Sequence, residues 1–225
     1  MKKNIFALII FTFLFIDAQP SRAYQSWIER ECPQDSEVEL VFTSSYGKLK
    51  YIGNKSSKDL QKESKQKRNP KDKLLGLTVP NPTLEVNLET SVIESPMSED
   101  ICVIPEKVEV FFGYVNPVIY IASDIKYKDC QRILVTRHEQ THQQINLLAL
   151  DYFLPQMKRL IRKKTKELKP IITTKLNKKQ AVEEMNDLIM ERMKDLVDQF
   201  NVFLEQEQGK LDNDENYEFE SSVCN

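Results

Sequence analysis

Residues 133–154 read ILVTRHEQTHQQINLLALDYFL, an uninterrupted run without Gly or Pro that is predicted to be helical. Side chains four apart share one face of a helix. His138 and His142 therefore stand together, able to offer two imidazole nitrogens to one metal ion. Glu139 lies about 100° round the helix from His138, where it reaches a water beside that ion rather than the ion itself. The chain has two histidines in all. With both in this H-E-x-x-H spacing, a metal site explains them better than two unrelated surface imidazoles.

Downstream, no glycine occurs between Asp129 and Gln208, and the only prolines are Pro155 and Pro170. Asp129 suits the N-cap of the motif helix. Pro155 removes a backbone hydrogen bond and is expected to kink that helix or start a new segment. From Lys158 to Lys169 the surface is strongly basic, Thr173 and Thr174 allow a turn, and a second helix is predicted from Lys178 to Gln208. Gly209 is its expected terminator. Val182, Met185, Ile189, Met193, Leu196, Phe200, Phe203 and Leu204 recur by threes and fours, the spacing of a core-facing stripe. This stripe is expected to dock the second helix against the first.

Upstream, short β-rich runs occur at 38–42, 48–52, 84–89, 108–112 and 118–121, punctuated by prolines. Lys55–Lys73 holds eight basic and three acidic residues. Without interleaved aromatics it reads as a solvated loop or a short exposed helix with Ser57 as N-cap. The fold class is α+β: a small antiparallel β-rich half (24–122) followed by a long antiparallel helical hairpin (123–225), in one domain.

Residues 1–23 have the pattern of a secretory leader. Lys2 and Lys3 precede an apolar run from Ile5 to Ile16, and Ser21 and Ala23 supply small residues before a cut. The apolar run is too short to span a bilayer, which takes about 20 residues, so no anchor is expected after its removal. The chain is expected to be exported, periplasmic or secreted. Without the leader, 29 basic and 33 acidic residues remain, a balance that argues against nucleic acid as a partner. Cys32, Cys102, Cys130 and Cys224 form an even set, which favours two disulfides in an exported chain. A hairpin centred on Thr173 brings Cys130 opposite the segment after the second helix. The expected pairs are Cys130–Cys224 and Cys32–Cys102.

Catalytic zinc takes three protein ligands and keeps a position for water, so a third ligand is needed. The same hairpin sets His138 opposite Gln208 and His142 opposite Leu204. The carboxylate at that level that best continues the stripe is Glu207.

The motif is the signature of zincin metalloproteases. The run Tyr114–Tyr120, Cys130, the motif, and Leu211-Asp212…Glu215-Asn216-Tyr217…Cys224 resembles uncharacterised bacterial predicted secreted zinc-dependent proteases, over most of residues 32–224. The chain departs from the metzincin pattern, with Leu148 where a third His would stand. It also lacks a clean thermolysin-like Asn-Glu-x-x-x-Asp run. The resemblance favours Asp212 over Glu207 as third ligand; Asp151 sits about 180° round from His142 and is disfavoured. It implies hydrolysis of a peptide or protein substrate, with Zn2+ as cofactor and Glu139 as the base that takes a proton from water. Tyr217 or Tyr152 is a candidate oxyanion donor. The 118–121 strand is a candidate edge for an extended substrate. The rival expectation is a zincin-like module that holds metal without turnover, as a structural or partner-binding protein.

Overall fold

The computed structural model describes residues 26–64, 73–125 and 130–224. The leader, the Asp129 cap and the middle of the 55–73 basic run lie outside the described residues. The elements are α1 (Trp27–Glu31), β1 (Glu39–Thr43), β2 (Lys50–Ile52), α2 (Ser57–Glu63), β3 (Gly76–Val79), β4 (Pro82–Glu94), β5 (Asp100–Tyr114) and β6 (Val118–Ile121). They continue with α3 (Cys130–Thr165), β7 (Ile171–Thr174), α4 (Lys178–Leu211) and α5 (Asp214–Ser222). The architecture is α+β.

One sheet has the order β1-β5-β4, with β7 also paired to β5; the other has the order β2-β6-β3. Antiparallel pairing dominates through the long β4–β5 ladder, while β1–β5 and β2–β6 are parallel. A parallel pair needs a crossover of a dozen residues or more, and both crossovers here run through α2, β3 and β4. Strand 118–121 is β6, the middle of its sheet, so it is not an edge for substrate. The edge beside α3 is β3, a four-residue strand too short to stand out in the sequence. Asn81, between β3 and β4, adopts φ 51°, a left-handed conformation that Asn tolerates better than most residues.

The main core lies between the first sheet and the two long helices. α3 contributes Leu150, Phe153, Met157 and Ile161; α4 contributes Met185, Ile189, Met193, Leu196 and Phe200; β5 contributes Val108, Val110 and Phe112. Phe200 meets Phe153 and Phe112 edge-on, with ring centroids 5.6 and 5.4 Å apart. Each such side chain contributes about 1.5–3 kcal/mol on burial. That explains why α3 runs through Pro155, whose cost in a helix interior is about 3 kcal/mol: Phe153 and Met157 are fixed in the core on either side of it.

Three local expectations are revised. Thr173 and Thr174 belong to β7, which pairs with β5 from Asp100↔Thr174 to Val103↔Ile171; a 3-10 turn over Lys175–Asn177 then leads into α4. The inserted strand displaces the helical hairpin by one turn, so that His142 meets Gln208 rather than Leu204. α4 continues past Gly209 to Leu211, closed by the Asp212 N–H donating to the Gln208 carbonyl at 2.9 Å. The N-cap of α2 is Ser56, in a reciprocal capping box with Asp59, and Ser57 is the first helical residue.

Two disulfides staple the fold. Cys32–Cys102 joins the end of α1 to β5, and Cys130–Cys224 joins the start of α3 to the segment after α5. Such bonds persist in oxidising compartments. Among the described residues, no helix is long and apolar enough to cross a membrane.

Candidate metal centre

Four elements meet around the motif. α3 supplies His138, Glu139 and His142; the end of α4 supplies Gln208 and leads directly to Asp212; α5 supplies Tyr217 and Glu220; β3 closes the far side with Gly76 and Thr78. His138 and Glu139 are buried. His138 Nε2 and His142 Nε2 stand 3.0 Å apart, and each lies 3.2 Å from Asp212 Oδ1. His138, His142 and Asp212 form a group whose donor atoms could hold one ion.

The outer contacts determine what those atoms offer. The Gln208 amide nitrogen donates to the His142 carbonyl at 3.2 Å and to Asn146 Oδ1 at 3.0 Å. This orientation turns Gln208 Oε1 onto His142 Nδ1, so Nδ1 carries the hydrogen and Nε2 keeps a lone pair. His138 Nδ1 faces the Glu220 carboxylate at 3.2–3.3 Å, with the same consequence. The Tyr217 hydroxyl donates to Asp212 Oδ1, and its ring stacks on His138 with centroids 5.4 Å apart. Three acceptor atoms thus converge on one point with no donor between the two imidazoles unless a proton or a cation is supplied. Their spacing is close to the edge of a tetrahedron with ligand bonds near 2.0 Å, about 3.3 Å.

The electrostatics follow from this arrangement. Burial is the largest single influence and pushes both imidazoles down, but the Asp212 carboxylate and the other polar neighbours of each ring together outweigh it. Glu139 and Glu220 add to the effect at His138, Gln208 and Glu139 add to it at His142, and both rings end above the ordinary histidine value. Burial also opposes ionisation of Asp212, yet its hydrogen bonds to both histidines and Tyr217 hold it far below the usual carboxylate range. Glu139 moves the other way: burial raises it, and the Thr78 hydroxyl and nearby imidazoles only partly offset that.

Glu139 is positioned by β3. Thr78 Oγ1 lies 2.7 Å from Glu139 Oε2 and 2.9 Å from the Glu139 carbonyl. At Gly76, a Cβ would fall 2.5 Å from Glu139 Oε1, so the missing side chain makes room for that oxygen. A cleft of about 430 Å³ opens here, lined by Leu77, Pro80, Leu204, Asn146, Glu139 and Asp212 among others.

The structure therefore brings together His138, Glu139, His142, Asp212 and Tyr217. Glu207 is elsewhere: it pairs with Lys210 at 2.5 Å, because the one-turn displacement of the hairpin carries it off the face opposite His138 and His142. Tyr152 is exposed and stacks on Phe203, and Asp151 accepts a hydrogen bond from Tyr46 at 2.5 Å; neither reaches the site. The sequence reading missed Gly76, Thr78 and Glu220. Gln208 was placed at the right level but against the wrong histidine, and its position one turn before Asp212 on α4 was the available signal. No protein-family model, curated protein or solved structure matches the chain, so its own geometry is what bears on function.

Proposed function

We propose that this chain is an exported zinc-dependent peptidase. The observation that carries the reading is the convergence of His138 Nε2, His142 Nε2 and Asp212 Oδ1 within 3.2 Å, with a buried carboxylate next in sequence facing an open cleft. His138, His142 and Asp212 would hold the ion, with Gln208 and Glu220 orienting the imidazoles and Tyr217 the carboxylate. When bound there, zinc supplies a Lewis acid that polarises a carbonyl and lowers the pKa of coordinated water to about 7.

The remaining chemistry belongs to the chain. Glu139 takes a proton from the attacking water and delivers it to the leaving amine, and a carboxylate raised by burial is a better match to that task near neutral pH. Thr78 holds Oε2, leaving Oε1 as the oxygen that moves the proton. β3 is the sheet edge beside Glu139, where an extended peptide can add as a further strand. Export is supported by the leader pattern of residues 1–23 and by the two disulfides.

Elemental analysis of wild type and His142→Ala, together with digestion of a peptide library by wild type and Glu139→Gln, tests the reading. Wild type should carry about one zinc and His142→Ala much less. Glu139→Gln should keep the metal and cleave about 10²- to 10⁴-fold more slowly. Zinc in wild type with no cleavage of any peptide would leave a metal-holding module without turnover. Equal zinc in wild type and His142→Ala would remove the site altogether.

A further inference from the structure

The basic stretch at the far end of α3 has no part in the metal site. Lys158 and Arg162 lie about 24 and 30 Å along the helix from His142, at 1.5 Å per residue. Lys158, Arg162 and Lys166 recur every four residues and line one cavity of about 320 Å³. Its other wall is Val38, Leu40 and Phe42, alternate residues at and just ahead of β1 that share one face of the strand. The Lys158 ammonium sits 5.5 Å from the Phe42 ring centroid. Thr165 completes the lining; it is 3% exposed, and its hydroxyl has no hydrogen-bond partner among the described residues.

Two features distinguish this cavity from an ordinary solvated basic face. Neighbouring Lys164 and Lys169 pair with Glu167 and Asp35, whereas Lys158, Arg162 and Lys166 pair with no carboxylate among the described residues, and no acidic side chain joins the lining. Complementing the helix dipole accounts for cations in the last turn of α3. It does not account for Lys158, two turns before the end, or for a buried hydroxyl without an acceptor.

We propose that this cavity binds a phosphate group carried on an apolar body, the headgroup of an anionic phospholipid. A guanidinium fork, two ammonium groups and a hydroxyl are a donor set for phosphate oxygens. The apolar wall selects the lipid over free phosphate, because inorganic phosphate has no apolar surface to place against Val38, Leu40 and Phe42. The site is independent of the metal centre and of the peptidase reading.

Sedimentation of the purified protein with vesicles tests it, using phosphatidylglycerol mixed with phosphatidylcholine against phosphatidylcholine alone. Binding is expected to the anionic vesicles only. Lys158→Gln/Arg162→Gln should weaken it by about 30-fold, from about 1 kcal/mol for each cation near an anionic surface. Arg159→Gln/Lys163→Gln removes the same charge from the adjacent stripe, outside the cavity lining, and should cost less than about fivefold, because the attraction falls off away from the bound headgroup. Thr165→Val, which leaves net charge unchanged, should also weaken binding while thermal stability is retained. Equal losses in the two double variants would reduce the site to diffuse attraction by a basic helix and overturn the proposal. So would full binding by Thr165→Val, absence of vesicle binding, or calorimetric binding of inorganic phosphate without vesicle binding.

Discussion

Replacing Cys130 and Cys224 together by serine should loosen the candidate metal centre from a distance. The segment after Asp212 brings Tyr217 and Glu220 to the site, yet among the described residues no side chain of α5 belongs to a hydrophobic cluster, and Phe219 and Val223 are largely exposed. Its hold on the protein includes the stacking of the Tyr217 ring on His138, the polar contacts of Tyr217 and Glu220, and the bond between Cys130 and Cys224. Asp212 itself directly follows α4, its N–H donating to the Gln208 carbonyl, and should keep its backbone position when the bond is lost. What is released is the carboxylate behind His138 and the hydroxyl on Asp212. Losing such supporting contacts typically costs about 10- to 100-fold in metal affinity, and that is the expected loss for zinc. Stability should fall as well. Chain entropy for a bond across 94 residues predicts about 4.7 kcal/mol, and about 2–4 kcal/mol is the usual measured range. Serine is preferable to reduction because free thiols would bind zinc themselves. Chelator competition and urea unfolding, each on metal-free and zinc-loaded protein, give the two quantities. Zinc affinity within twofold of wild type, alongside a clear loss of stability, would refute the claim that the tail supports the ligands.

Gly76→Ala should keep zinc but lower kcat by about 10- to 100-fold, since its Cβ falls 2.5 Å from Glu139 Oε1 and displaces the base by a distance known to matter at that scale; unchanged kcat would show that Glu139 is not held by β3. Gln208→Leu removes the acceptor that fixes the His142 tautomer and should weaken zinc by about 10- to 100-fold, measured by chelator competition against wild type. Acidification should expel zinc: both imidazoles titrate above their ordinary 6.5, so protons compete for Nε2 as soon as pH falls through that raised range, and pH-independent affinity between 8 and 5 would contradict it. In the metal-free protein the signs differ. The raised histidines stabilise fully below about pH 6.5 and lose that contribution as pH rises through their folded values. The depressed Asp212 stabilises above about pH 3.9 and loses its contribution on further acidification. Glu139, raised by burial, counts against the folded state as pH rises above its unfolded value of about 4.3. Metal-free stability from this cluster should therefore be greatest at about pH 4 to 5, declining first with Glu139 and again above about pH 6.5 with the histidines, as urea midpoints across pH would record.

Much of this protein was legible in its sequence because the relevant signals are local. The i, i+4 spacing alone put His138 and His142 on one face with Glu139 beside them, and the stripe from Val182 to Leu204 marked the buried face of α4, since helical periodicity is written in neighbouring residues. The α+β division followed from the abrupt loss of Gly and Pro after Asp129. Hairpin arithmetic, though one turn off, still paired Cys130 with Cys224, because the tail is long enough to absorb an error of that size.

A metal site has no such tolerance. Whether Glu207 or Asp212 faces the histidines depends on the register between α3 and α4, and that register is set by β7, four residues that pair with β5 some 70 positions earlier. Such pairing is non-local and left no mark in the Thr173-Thr174 composition. The same holds for β3: Gly76 and Thr78 become the seat of Glu139 only because β6 lies inside its sheet and β3 at the edge. The choice of residues around the motif was local chemistry, whereas the distances among them were decided by strand pairings far away in the chain.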